Sequence, residues 1–161
     1  MSMRRVAAQV GIRGPSLYKH LRDKGELEAA LISSGFEEQA QALEAARARA
    51  EATGSDRVLE ALADAYRAFA RRRPDLYRLM TQSPLARDRL VPGVEERAAA
   101  PLVEAFEGDL DAARAAWAFA HGMVILELDG RFPPGADLDA AWRRGIEALR
   151  PSPPSPAPLA S

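Results

Sequence analysis

The side chains of this chain that could do chemistry fall in two places. Near the N terminus stand Arg4, Arg13, Pro15, Ser16, Tyr18, Lys19, His20 and Lys24. Cationic, hydroxyl and aromatic groups at that density suit an anionic polymer. A guanidinium can bond bidentately to a guanine edge, and groups flanking it can grip phosphates and fix register. The second place is Trp117-x(3)-His121-Gly122-x(3)-Leu126-Glu127-Leu128, where an imidazole and a carboxylate sit in an otherwise apolar stretch. His121 there suits a ligand contact or a satisfied interior histidine, and Glu127 a partner for a neighbouring arginine or helix end.

Little else has the makings of a reactive centre. The sequence contains no nucleophile elbow, no phosphate-binding glycine loop, no His-Glu-x-x-His pair and no acidic metal cluster. Cysteine is absent, which removes thiolate nucleophiles, disulfides and cysteine-ligated zinc. The carboxylate pairs Glu37-Glu38 and Glu95-Glu96 are adjacent on helices and point apart, as solvated faces do. No enzyme activity, cofactor or metal is expected.

Charge is unevenly placed. The net charge is only -1, yet residues 1 to 24 hold six basic side chains against Asp23 alone, leaving an acidic remainder. Both lysines lie in that basic head, which implies an anionic partner at one end of the molecule. No membrane partner is expected, since the longest run without a formal charge, Ala115 to Leu126, is 12 residues, against about 20 for a spanning helix. A cytoplasmic protein follows as the expectation.

The elements that must position these groups are helical. Among 161 residues there are 33 alanines, against 13 valines, isoleucines and threonines together, so the expected fold class is all-α. Met3 to Val10 reads as a short helix stopped by Gly11, and Pro15 to Leu21 as a second, which together make a helix-turn-helix geometry. A long helix then runs from a cap at Asp23 to about Glu51. Ser55 or Asp56 starts the next, with Val58, Leu59, Leu62, Tyr66 and Phe69 on one stripe. Pro74 opens a short helix through Met80, residues 83 to 93 form a loop, and a further helix reaches Phe106 with Pro101 expected to kink or split it. Asp111 to Gly130 and Asp137 to Leu149 are the last two helices. Gly122 is read as a point of close helix approach. The tail from Pro151 to Ser161, with five prolines, is expected to be disordered.

The stretch RRVAAQVGIRGPSLYKHLRDKGEL resembles the DNA-binding segment of the TetR family of transcriptional regulators, through its alanine pair, Gly-apolar turn, Leu-Tyr-x-His and following lysine. The Trp117-His121-Gly122 constellation resembles the Trp-His-Gly type of C-terminal regulatory domain in that family. The resemblance implies that Tyr18, His20 and Lys24 contact phosphates, and that Arg4, Arg13, Pro15, Ser16 and Lys19 face base edges and nearby backbone. Three departures stand beside it. Family members carry a further helix before this point, whereas this sequence starts at the edge of the second; Arg13 replaces a small hydroxyl residue, and Leu21 an aromatic one.

The resemblance divides the chain into an N-terminally incomplete DNA-binding segment over residues 1–30, a helical effector-binding and dimerisation domain over 31–150, and the tail over 151–161. It implies a ligand-responsive repressor that binds a palindromic DNA operator as a homodimer, through helices 111–130 and 137–149, and is released by a small-molecule effector. Tyr66, Phe69, Tyr77, Met80, Phe106, Trp117 and His121 are the candidate effector contacts, although their spacing fits a plain core as well. The alternative is a helical dimeric protein that binds small molecules but not DNA, because the first DNA-binding helix is missing.

Overall fold

The computed structural model describes residues 24–54 and 56–150, and every regular element among them is helical. Arg4, Arg13, Pro15, Ser16, Tyr18, Lys19 and His20, the two short N-terminal helices and the proline-rich tail lie outside the described residues.

Helix α1 (Lys24–Ala52) is the longest, at 29 residues. It contains no proline, and its buried stripe includes Leu27, Leu31, Leu43, Ala46 and Ala50. On the outside, Arg47 bridges one turn to Glu44 and one turn to Glu51, at 3.0 and 2.9 Å. The helix is continuous across residue 30, where the sequence divides head from body. It packs along α2 (Val58–Arg72), α3 (Pro74–Thr81) and α4 (Val94–Ala105).

The α2 stripe of Leu59, Leu62, Tyr66 and Phe69 is buried, as its spacing predicts. The helix begins two residues after Asp56, with Arg57 at its N-cap and no side-chain cap bond. In α3, Pro74 occupies the first turn, where its missing N–H is no loss. The loop that follows contains one 3-10 turn, Arg87–Arg89. Pro101 does not split its helix in two: α4 runs unbroken through it. The ring is buried, so the apolar surface it removes from water offsets the single hydrogen bond that proline forfeits.

Gly108 closes α4 at a φ of +88°, and its N–H returns to the Val103 carbonyl at 3.0 Å. Helix α5 (Leu110–Leu128) starts immediately after, one residue before Asp111, because the Asp109 carboxylate accepts the N–H groups of Asp111 and Ala112. Asp137 caps α6 (Leu138–Leu149) in the same way, through Ala140.

A polar latch joins α2, α5 and α6. Glu127 accepts from Arg67 and from the Trp142 indole, and Arg67 also reaches Asp139 at 2.6 Å. Arg67 lies over the Trp142 ring at 5.6 Å. Phe119 meets the same ring edge-on, its centroid 5.6 Å away. Gly122 makes no close approach among the described residues, for a Cβ placed there meets nothing within 4 Å. It lies on the outward face with exposed Ala115, Ala118 and Leu126, and the close approach of α5 to α6 falls at Gly145 instead. Among the described residues no helix is long and apolar enough to cross a membrane.

Candidate functional site: an apolar cavity in the helical body

Helices α1 to α6 enclose a cavity of about 690 Å³, within the range of small-molecule sites. Of the seven effector contacts expected from sequence, Tyr66, Tyr77, Met80, Phe106, Trp117 and His121 line it. Phe69 does not: it is fully buried in the core, one turn beyond Tyr66 on the same helix.

Three of the lining residues form a hydrogen-bonded chain. The hydroxyls of Tyr66 and Tyr77 are 2.8 Å apart, and that of Tyr77 is 2.8 Å from Nδ1 of His121. The Tyr66 and Tyr77 rings meet edge to face at 5.8 Å, and Trp117 stacks on His121 at 5.9 Å. Burial pushes both tyrosine hydroxyls above their ordinary range, with the neighbouring Tyr66 adding to the effect on Tyr77. Burial also lowers His121 from its ordinary value. The chain is therefore uncharged at neutral pH.

Charged groups stay at the margins. Arg87 holds Glu95 through two bonds of 2.9 and 3.1 Å, and Arg114 holds Asp111 at 2.9 Å. Trp117 remains 50% exposed, so the indole is both cavity wall and outer surface. Glu127 faces Arg67 and Trp142 rather than the cavity, the structural role weighed for it above.

Sequence reasoning missed the wall that α1 contributes, namely Phe36, Gln39 and Leu43. The signal was present in the spacing: Gln39 interrupts the stripe that continues from Leu31 to Leu43, a polar residue on an inward face. Lys24, the one predicted DNA contact among the described residues, is the first residue of α1, well exposed, with Nζ 3.3 Å from Glu28.

Fold and cavity define an all-helical protein with a ligand-sized chamber in its body. Residues 59–149 match the family described as Tetracyclin repressor-like, C-terminal domain. The chain belongs to that family. It is 32% identical over 138 residues to the uncharacterized HTH-type transcriptional regulator Rv0681 of Mycobacterium tuberculosis, a match over 81% of this chain. The chain spans 62% of the length of that relative. Among solved structures it is similar to SCO4313, named as a regulatory protein, with a TM-score of 0.62 and 28% identity over 92% of this chain and 84% of the other. A protein of unknown function from Rhodococcus sp. RHA1 is similar to the same degree, with a TM-score of 0.62 and 26% identity over 92% and 82%.

Proposed function

We propose that this protein is a transcriptional regulator that binds DNA as a homodimer and releases it when a small molecule enters the cavity. The observation that carries the reading is that α1 supplies part of the cavity wall, through Phe36, Gln39 and Leu43, and at its other end begins at Lys24 beside the basic head. One continuous helix thus runs from the chamber wall to Lys24, and a ligand that favours one of its positions shifts the population between them. Tyr66, Tyr77, Met80, Phe106, Trp117 and His121 contact the effector. Arg4, Arg13, Pro15, Ser16, Tyr18, Lys19, His20 and Lys24 contact the operator, a palindrome matching the dimer's two-fold axis. Two copies pair through the outward faces of α5 and α6, where Ala115, Ala118, Leu126, Ala141 and Ala148 are exposed, and build a four-helix bundle.

The test is fluorescence-anisotropy binding of the chain to DNA from upstream of its own gene, at several salt concentrations. Affinity should fall steeply with salt, and Lys24→Ala should reduce the slope by about one unit. Binding that is absent for this DNA while the cavity still takes ligands would favour a helical ligand-binding dimer without DNA activity.

A further inference from the structure

Two polar residues are buried among those described, Ser33 and Gln39, and they differ in one respect. The Ser33 hydroxyl accepts the Val91 N–H at 3.0 Å. Gln39 is only 7% exposed and lines the cavity, yet its carboxamide has no hydrogen-bond partner among the described residues. Its polar atoms are reached from the chamber, so the hydrogen bonds that the protein does not supply must come from whatever fills that chamber, water or a ligand.

The rest of the lining limits what that ligand can be. Tyr66, Tyr77 and His121 already bond to one another. Arg87 and Glu95 neutralise each other, and Arg114 is paired with Asp111 at the exposed rim. No uncompensated charge faces the chamber from the described residues, so an ionic ligand would leave water without gaining a counter-charge. Gln39, by contrast, offers a donor and an acceptor side by side. A ketone or ether would satisfy only the donor; a carbonyl next to an N–H satisfies both.

We infer that the cavity takes an uncharged, largely apolar ligand with a lactam-like edge, which pairs with the Gln39 carboxamide through two hydrogen bonds. The inference rests on the cavity's being the effector site and adds the chemistry that the site selects.

The test uses the full chain and three tricyclic fluorescent probes of matched shape: phenanthridinone, a lactam; phenanthrene, its apolar counterpart; and a phenanthrene carboxylate. Phenanthridinone should bind about tenfold more tightly than either of the others. Gln39→Leu should abolish that preference, bringing phenanthridinone to the affinity of phenanthrene for the same variant. Gln39→Met, of similar length and unbranched, serves as the second variant, and thermal melting establishes that each variant is folded. Equal binding of the three probes, tighter binding of the carboxylate, or a lactam preference that survives both substitutions would overturn the ligand class and leave the cavity reading standing. Failure of all three probes to bind would overturn both.

Discussion

A Cβ placed on Gly145 would lie 2.0 Å from Cζ of Phe119 and within 2.7 Å of two further atoms of that ring. Helix α6 therefore meets α5 across a glycine, at a separation no other residue permits. The Phe119 ring is also the one that packs edge-on against Trp142. Gly145→Ala must push it off that contact, an overpacking that costs about 1–3 kcal/mol, against a helix-propensity gain of at most about 1 kcal/mol. Urea unfolding should show a less stable variant. In a Phe119→Ala background the same change should be neutral or stabilising, since only the propensity gain remains. Equal destabilisation in both backgrounds would mean that the ring is not the obstacle.

Arg67 and Glu127 are both nearly buried, with Nε and Oε1 3.0 Å apart. Arg67→Ala leaves the Glu127 carboxylate with the Trp142 N–H but without its counter-charge, and the expected loss is about 3 kcal/mol. Asp139 sits at the exposed end of the same latch, where solvent screens the pair, so Asp139→Ala should cost much less than Arg67→Ala. Comparable losses in the two variants would show that burial does not set the value of this network.

Burial lowers His121 below its ordinary value of 6.5. As pH falls through that value the unfolded chain takes up a proton before the folded one does. The unfolded state then binds more protons, and stability must decrease with falling pH. His121→Gln removes this contribution and should flatten the melting-temperature profile between about pH 7 and the folded-state value below it. A profile as steep as the parent's would assign the acid sensitivity to other groups.

The exposed face of α5 carries Ala115, Ala118 and Leu126, the last 41% exposed. If two copies pair there, an arginine at that face buries an unpaired charge and breaks the dimer. Sedimentation velocity at micromolar concentration should give a dimer for the parent chain and a monomer for Ala118→Arg, with helical content unchanged. A parent chain that sediments as a monomer would remove the pairing itself.

Most of the described fold is written in local signals. Pro74, Asp109 and Asp137 start helices and Gly108 ends one because caps and fixed dihedrals act within a turn of themselves. What the sequence leaves open depends on which face meets which neighbour. Pro101 persists in a helix because its ring is buried, a fact of tertiary packing. Gly122 and Gly145 are equally small, yet only Gly145 opposes a ring. Tyr66 lines the cavity while Phe69, one turn on, fills the core, and no periodicity separates two residues of one stripe. Gln39 interrupts a different stripe, on α1, and that polar interruption is a signal in the sequence, but its missing partner is a property of the packed molecule.

The unbroken length of α1 has a mechanical consequence. Gln39 lies 15 residues from Lys24 on a single helix, which at 1.5 Å per residue is a lever arm of about 22 Å. Each degree by which the helix pivots at the cavity displaces its Lys24 end by about 0.4 Å, so a five-degree swing carries it about 2 Å. That is comparable to the difference between a hydrogen bond made and one lost. A proline at an exposed position between those two ends, such as Ala30, would put a joint in the arm, uncoupling its two ends while sparing the chamber.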